Sequence, residues 1–275
     1  MSFHGVRGSF PCSGDSNRRY GGNTASVSLA VDGEPPILLD LGTGLPFFDH
    51  GLGGRNVPFR AAALVTHLHF DHVQGLPFFE PVLEAGTVLD VYGPAQPGRS
   101  LHDALAGLIG PPYFPVPLDD LPAELRFHDV VDGRFGVGTA TVTVRPVPHT
   151  APSVGYRVEW DGASVAYVSD HQAPPGFDHV DRAVLELCEG VDMLIHEAQY
   201  TRAEFAAKPD WGHCTVDYAA LVAQKAGARR LCLFHHDPWR TDDALDDLVE
   251  EARALCAGTG VAEVTAAAQG VTLEV

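Results

Sequence analysis

Short apolar runs recur along the chain, and most are bounded by Gly, Pro or Asp. Runs of about four to eight apolar residues between turn-forming residues are typical of buried strands. The strands predicted in this way are residues 26–31, 37–39, 61–65, 88–92, 141–147, 164–168, 193–195 and 230–234. Because helical stretches interrupt these strands, the pattern predicts an α/β chain with layered sheets.

Two later segments have helical spacing. A helix is predicted after Thr241, since threonine can cap a helix and Asp242 and Asp243 suit the positive end of its dipole. A second helix is predicted from about residue 215 to 226, ending at Gly227. The apolar positions of the first, expected to face a core, are Leu245, Leu248, Val249, Ala252 and Leu255.

The segment 94–122 differs from its surroundings because it contains seven prolines. This proline content excludes a central strand, while its leucines and aromatic residues argue against a solvated linker. We expect an excursion packed on the surface of one domain that spans residues 1–275. The alternative is a lid over a pocket, with Tyr113 and Phe114 facing the substrate.

Composition changes the picture mainly through charge. The 275 residues include 36 Asp and Glu against 18 Lys and Arg, for a formal net charge of −18. Lys208 and Lys225 are the only lysines, and Arg18-Arg19 and Arg229-Arg230 are the only basic pairs. Because proteins hold nucleic-acid backbones with clustered basic residues, a small-molecule substrate is expected and a long nucleic acid is disfavoured.

Location is predicted from what the sequence lacks. No apolar stretch approaches the roughly 18 residues of a membrane span, and the first residues do not resemble a secretory signal. The five cysteines form no CxxC pair, which is typical of reduced thiols. We therefore predict a cytoplasmic protein without membrane attachment.

A cluster of histidines is the sequence feature that points most directly to a chemical function. Directly after the predicted strand 61–65, the sequence contains His67, His69, Asp71 and His72 within six positions. Imidazole and carboxylate are good ligands for zinc and similar divalent ions, and alternation puts His67 and His69 on one side of an extended segment. The motif therefore predicts a metal site.

Other polar residues also follow predicted strands. Since the carboxyl ends of strands in layered α/β folds commonly meet at one rim, we expect these residues to join the histidine motif there. They are His149, Asp170, His196, Glu197, His235 and His236.

These motifs together resemble those of the metallo-β-lactamase superfamily, whose signature is His-x-His-x-Asp-His followed by an isolated His, an Asp and a final His. The resemblance covers nearly the whole chain. Within the superfamily the chain is similar to the ribonuclease Z and cyclic-phosphate phosphodiesterase branch, through His-Thr-Ala-Pro-Ser at His149, His196-Glu197-Ala198 and Gly212-His213-Cys214-Thr215. The fold implied is a four-layer αβ/βα sandwich with metals at the edge of the two sheets.

The resemblance implies two divalent metal ions, with Zn2+ expected and Mn2+ or Fe2+ as alternatives. It assigns His67, His69 and His149 to the first ion, and Asp170 to a bridging position. The implied ligands of the second ion are Asp71, His72 and His235. His236 remains an alternative to His235, and Asp40 is expected to accept a hydrogen bond from a ligand imidazole.

The implied reaction is phosphodiester hydrolysis by a metal-bridging hydroxide. His213 would protonate the leaving alkoxide, Glu197 would support His213, and Asp71 would accept a proton from the nucleophilic water. The short stretch between Tyr156 and Asp170 leaves no room for the long arm with which ribonuclease Z grips transfer RNA. A small or cyclic phosphodiester is therefore the expected substrate.

Two other functions stay open. One is a thioesterase- or lactonase-type acyl hydrolase, because the same hydroxide attacks a carbonyl. The other is a non-catalytic metal-binding sensor. The apolar segments 45–48 and 76–79 are either core or the surface of a homodimer.

Overall fold

The computed structural model describes residues 1–48 and 58–275. Within these ranges the chain forms two β-sheets flanked by helices. The strands, numbered β1 to β13 in chain order, are Ser2–Gly5, Ser26–Leu29, Ile37–Leu39, Arg60–Leu64, Val88–Gly93, Glu124–Asp129, Gly133–Val137, Ala140–Pro146, Val154–Trp160, Ala163–Val168, Met193–Glu197, Arg230–Phe234 and Glu263–Ala266. The α-helices, α1 to α6, are Phe70–Val73, Leu101–Leu108, Arg182–Cys188, Arg202–Ala207, Val216–Ala226 and Asp242–Cys256.

The first sheet has the strand order β1-β2-β3-β4-β5-β6 and the second has β13-β12-β11-β10-β9-β8-β7. Strands β3 to β6 are parallel to one another, and so are β10 to β13. Parallel strands point their carboxyl ends to the same edge of a sheet. Both sheets therefore deliver the residues that follow these strands to a sheet edge.

Three apolar clusters define four layers. One cluster fills the space between the sheets and includes Leu64, Tyr156 and Phe234. A second packs α3, α5 and α6 onto the second sheet, and a third packs α2 and neighbouring 3-10 turns onto the first sheet. The result is the αβ/βα sandwich expected from the resemblance.

All eight predicted strands are present, with ends that differ by at most two residues. Two strands differ by two residues: the one predicted at 26–31 ends at Leu29, and the one predicted at 193–195 continues to Glu197. His196 and Glu197 therefore belong to β11 itself. Strands β1, β6, β7, β9 and β13 were not predicted. Strands β6 and β7 alternate between half-buried and exposed residues and β7 contains two glycines, so neither has an apolar run.

Both predicted helices are confirmed. The Thr241 and Thr215 hydroxyls accept backbone N–H bonds at the starts of α6 and α5, and Gly227 ends α5 in the left-handed conformation. The prediction was wrong at Leu255, which is 43% exposed. Cys256 is buried in its place, since the last turn of α6 presents that side chain to the core.

The proline-rich segment packs against the first sheet, with Leu101, Leu105 and Ile109 buried in its cluster. Tyr113 is 79% exposed, and Phe114 contacts Phe78 edge-on. The segment thus has the predicted packed character, while a lid role stays a prediction.

The apolar segments 45–48 and 76–79 divide between core and surface. Leu45, Leu76 and Phe79 are buried, whereas Phe47 and Phe78 are largely exposed. Among the described residues, no helix is long and apolar enough to cross a membrane.

Candidate metal centre

The sequence-predicted ligands come from both sheets and meet at their common edge. Strand β4 leads into the histidine motif, whose second half begins the short helix α1. From the second sheet, His149 follows β8, Asp170 follows β10 and His235 follows β12. All seven predicted ligands belong to clusters in which the potential ligand atoms lie within 4.8 Å of one another.

The first cluster contains His67, His69, His149 and Asp170. His149 Nε2 lies 3.1 Å from His69 Nδ1, and His67 Nε2 lies 3.7 Å from Asp170 Oδ2. The side chains of His67 and His149 are completely buried.

The second cluster contains Asp71, His72 and His235. The Nε2 atoms of His72 and His235 are 3.2 Å apart, and each lies 3.2 Å from Asp71 Oδ2. Asp71 Oδ2 also accepts the backbone N–H of Ser9 at 2.6 Å. This bond fixes the carboxylate between the two rings.

Asp170 lies between the two clusters. Its Oδ2 faces the first, at 3.7 Å from His67 Nε2 and 4.0 Å from His149 Nε2. Its Oδ1 faces the second, at 3.2 Å from His72 Nε2 and 3.3 Å from His235 Nε2. One carboxylate thus offers a different oxygen to each cluster, as a bridging ligand would.

Three of the histidines predicted as ligands are oriented by hydrogen bonds on the side away from the clusters. His72 Nδ1 donates to Asp40 Oδ2 at 2.9 Å, and His149 Nδ1 donates to the Gly212 carbonyl at 2.8 Å. His235 Nδ1 donates to Gln199 Oε1 at 2.8 Å. A neutral imidazole that donates through Nδ1 presents a lone pair at Nε2. The lone pairs therefore converge on the clusters, as they do in metal-binding sites.

The donor set fits divalent ions. His67 Nε2 is buried and has no hydrogen-bond partner among the described residues. Around a tetrahedral zinc ion with bonds of about 2.0–2.1 Å, neighbouring ligand atoms lie about 3.3 Å apart. The separations of 3.1 Å between His149 and His69 and 3.2 Å between His72 and His235 agree with that spacing.

The electrostatics of the metal-free chain favour ionised carboxylates. Burial opposes ionisation of Asp71, yet His72 and His235 hold its pKa well below the usual range. Burial also opposes a charge on His72, but Asp71 and Asp170 outweigh it and raise the pKa of His72. Burial lowers the pKa of His67 well below the usual value. A divalent cation bound between these groups would displace the proton that the carboxylates stabilise on His72.

His213 forms a third group of potential ligand atoms with Asp170 and His235, and Glu197 lies beside this group. Glu197 is completely buried, and its carboxylate accepts the backbone N–H groups of His171 at 2.5 Å and Cys214 at 3.1 Å. His213 Nδ1 lies 3.4 Å from Glu197 Oε1 and 3.5 Å from Asp170 Oδ2. Burial opposes protonation of His213, but Glu197 and Asp170 raise its pKa to about 9. In the chain without metal, these two carboxylates therefore favour the protonated form of the ring.

The backbone comes unusually close to two of the imidazole rings that are predicted as ligands. A Cβ on Gly8 would lie 2.3 Å from His235 Cε1, and a Cβ on Gly212 would lie 2.4 Å from His149 Cε1.

Asp40 and His235 themselves have positive φ angles of 56° and 54°. Such conformations cost about 1–3 kcal/mol and are often found at functional sites.

The structure separates His235 from His236. His236 Nε2 donates to the Ala267 carbonyl at 2.9 Å, and burial lowers the pKa of His236 to about 3. His236 is absent from the clusters among the described residues. The geometry therefore favours His235 as the ligand.

The basic pair Arg18-Arg19 forms ion pairs on the surface of the protein. Arg19 forms ion pairs with Asp243 and Asp246 of α6, and Arg18 pairs with Asp15. These are exposed surface contacts, which contribute little to stability.

Two glutamines were missed by the sequence reasoning. Gln199 Oε1 accepts a hydrogen bond from His235 Nδ1 at 2.8 Å, and Gln172 Oε1 accepts one from the Gly212 backbone N–H at 2.7 Å. Glutamine is common on surfaces, so no local pattern singles out either residue. The available signal was position: Gln199 lies two residues after Glu197, and Gln172 lies two residues after Asp170.

Comparison with known proteins identifies a family and several similar proteins. Residues 41–236 match the beta-lactamase superfamily domain. A ribonuclease Z of Brevibacillus brevis is 37% identical over 280 residues, covering 78% of this chain and 84% of that protein. A diphosphatase of the PhnP family has a similar fold, with a TM-score of 0.70 at 20% identity over 100% of this chain and 96% of that one. Zn2+-bound PqqB from Methylobacterium extorquens has a TM-score of 0.71 at 19% identity, over 100% and 99%.

Proposed function

This chain belongs to the beta-lactamase superfamily, and we propose that it is a dinuclear metal-dependent phosphodiesterase acting on a small or cyclic phosphodiester. The observation that carries the proposal is the position of His213, with Nδ1 at 3.4 Å from Glu197 Oε1 and 3.5 Å from Asp170 Oδ2, at the edge of the ligand clusters. Metal-assisted hydrolysis of a diester needs both parts, since a nucleophile must be activated and an alkoxide must be protonated as it leaves.

We propose His67, His69 and His149 as ligands of one ion, and Asp71, His72 and His235 as ligands of the other, with Asp170 shared. Zinc suits this nitrogen and oxygen set, and Mn2+ or Fe2+ are the alternatives. Two bound ions would lower the pKa of a water molecule and neutralise charge on a phosphoryl oxygen.

The acid in this proposal is His213. Its Nδ1 faces Glu197 and Asp170, so Nε2 is the atom left to protonate the leaving oxygen. Glu197 stabilises the imidazolium and is itself fixed by two backbone N–H bonds. Asp71, held by the Ser9 N–H, accepts a proton from the attacking water.

A small substrate is favoured over a long RNA, although the relative from Brevibacillus brevis carries the name ribonuclease Z. The net charge of −18 would repel a polyanion. Strands β9 and β10 are joined by the two residues Asp161 and Gly162, both with positive φ. This tight turn supports the absence of an arm between Tyr156 and Asp170.

The test is the substitution His213→Ala, assayed on diesters with poor and good leaving groups. We expect kcat to fall about 10²- to 10⁴-fold for an alkyl or ribose leaving group. The loss should be smaller for p-nitrophenolate, which departs without a proton. Metal content should stay unchanged, and His102→Ala, at a half-exposed histidine, is the matched control.

Turnover of the best diester within about twofold of wild type in the His213→Ala protein would overturn this mechanism. Faster hydrolysis of thioesters or lactones than of any diester would favour the acyl hydrolase. Metal binding without hydrolysis of either substrate class would favour the sensor.

Two further parts of the proposal concern context. A cytoplasmic location is supported by five cysteines without a disulfide. A homodimer that covers the exposed Phe47 and Phe78 is the oligomeric state we propose to test by light scattering.

A further inference from the structure

Gln172 connects parts of the chain that meet beside the metal centre, and the proposed mechanism gives it no role. Its backbone N–H donates to the Pro148 carbonyl at 2.7 Å, directly before the predicted ligand His149. Its side chain contacts the loop 208–212, which leads from the end of α4 to His213. Gln172 therefore touches the chain next to a predicted ligand and next to the proposed acid.

We propose that Gln172 is a positioning residue for His213, which it places by bracing the loop 208–212. The inference rests on the proposed function, because it names the residue that holds the acid of that function in place. Gln172 acts through the backbone, since both polar atoms of its side chain are bound to backbone groups.

The amide of Gln172 binds both ends of the loop. Its Oε1 accepts the Gly212 N–H at 2.7 Å, and its Nε2 donates to the Pro209 carbonyl at 2.9 Å. The second Nε2 hydrogen is donated to the Ala173 carbonyl at 2.9 Å. Only this orientation of the amide fits, because a backbone N–H needs an acceptor and a carbonyl needs a donor. Three bonds to one planar group therefore fix the distance across the loop.

Gly212 is the point at which the loop turns towards His213, with a φ angle of 91°. Glycine adopts many backbone conformations with little preference, so contacts from outside must select this one. Without Gln172 the Gly212 N–H would lose its acceptor. The turn would then depend on the bond from the Trp211 N–H to the Lys208 carbonyl, which is long at 3.3 Å.

The ring of His213 needs this support because its own side-chain contacts are long. Nδ1 lies 3.4 Å from Glu197 Oε1 and 3.5 Å from Asp170 Oδ2, beyond the range of about 2.7–3.2 Å usual for such bonds. The His213 carbonyl accepts the N–H of Ala173, the residue after Gln172, at 3.2 Å. The backbone on both sides of the His213 side chain is thus held by the segment that contains Gln172.

The same brace connects the acid to a predicted metal ligand. The Gly212 carbonyl accepts from His149 Nδ1 at 2.8 Å, and the Gly212 N–H is bound by Gln172. His149 and His213 are therefore anchored to one glycine. A general acid must lie within hydrogen-bond reach of the leaving oxygen, and a displacement of about 1 Å can lower a rate about 10²-fold.

The experiment uses the zinc-loaded protein and two diesters that differ only in their leaving groups. Diphenyl phosphate releases phenolate, which benefits from a proton, whereas bis(p-nitrophenyl) phosphate releases p-nitrophenolate, which departs without one. The readout is kcat for diphenyl phosphate divided by kcat for bis(p-nitrophenyl) phosphate. This ratio does not depend on the fraction of active enzyme in the sample.

In the Gln172→Met protein we expect the ratio to fall about 10- to 100-fold, with KM for diphenyl phosphate within about twofold of wild type. Methionine has a similar length but makes none of the three hydrogen bonds. Gln224→Met is the matched control, because Gln224 of α5 also donates to a backbone carbonyl, that of Leu255 at 3.0 Å. It should leave the ratio unchanged.

A double variant separates displacement of the acid from other damage. If Gln172 acts through His213, Gln172→Met should lower the ratio no further in a protein that already carries His213→Ala. A further loss in the double variant would overturn the inference. An unchanged ratio in Gln172→Met, an equal loss with both diesters, or a similar fall in Gln224→Met would also overturn it.

Failure of the proposed function gives a different result. If the wild type does not hydrolyse diphenyl phosphate, or if His213→Ala keeps the wild-type ratio, the proposed acid has no role and the inference fails with it. If His213→Ala lowers the ratio and Gln172→Met does not, the inference alone fails.

Discussion

Asp40→Asn tests how the second ligand cluster is held. The Asp40 carboxylate is fully buried and accepts from His72 Nδ1 at 2.9 Å, from Tyr167 Oη at 2.9 Å, and from Thr66 N and Oγ1 at 2.7 Å and 2.9–3.0 Å. An asparagine replaces one of the two oxygens with an NH2 group. If that NH2 group faces His72 and Tyr167, the His72 N–H and the Tyr167 O–H point at a donor instead of an acceptor, and both hydrogen bonds are lost.

The magnitude follows from these bonds. Hydrogen bonds to a charged group contribute about 1.5–3 kcal/mol each, so the loss of two should lower the free energy of unfolding of the metal-free chain by about 3 kcal/mol or more. His72 also loses the acceptor that orients its ring. Loss of such an acceptor typically weakens metal binding 10- to 100-fold, or about 1.4–2.7 kcal/mol.

The assay is a zinc titration of metal-free protein against a chromophoric chelator, together with urea unfolding. We expect one of the two sites to weaken 10- to 100-fold and the other to change less. Asp90→Asn is the matched control, because Asp90 also accepts from a histidine, His128 at 3.0 Å, but on a partly exposed surface. Two zinc sites of wild-type affinity in Asp40→Asn would refute the role given to Asp40.

Two further predictions follow from contacts near the same edge. Gly8→Ala should lower the zinc affinity of the second site at least tenfold, because the new Cβ would lie 2.3 Å from His235 Cε1. Gly260→Ala is the control, since no atom lies within 4 Å of its Cβ, and it should leave the affinity unchanged. Equal zinc affinities of the two proteins would contradict this prediction. His236 has a pKa of about 3 in the folded chain because burial disfavours its charge, so its contribution to stability is present above about pH 6.5 and is lost as the pH falls towards 3, at about 1.4 kcal/mol per pH unit. His236→Gln should therefore flatten the acid side of the stability profile measured by urea unfolding, and an unchanged slope would be the contrary result.

Much of the fold and most of the clustered residues could be predicted, because each strand and the polar residues that follow it are visible in a short stretch of sequence. The strands ending at Leu39, Leu64 and Phe234 are continuous apolar runs, and the polar residues that follow them are equally visible. The convergence of these residues follows from the rule that parallel strands end at one edge. The close spacing of His67, His69, Asp71 and His72 further indicates a metal site.

The rest depends on contacts between distant parts of the chain. Gly8 lies against His235 and Gly212 lies against His149, although neither glycine is near its partner in sequence. Gln199 resembles any polar residue until its bond to His235 is seen.

The central claim is that this cluster binds two divalent ions to hydrolyse a phosphodiester. The most direct measurement is elemental analysis of protein produced in zinc-replete medium, with hydrolysis of bis(p-nitrophenyl) phosphate followed on the same sample. We predict about two metal ions per chain and hydrolysis that stops when a chelator removes them. Fewer than one metal ion per chain, with no hydrolysis of the activated diester, would contradict the claim.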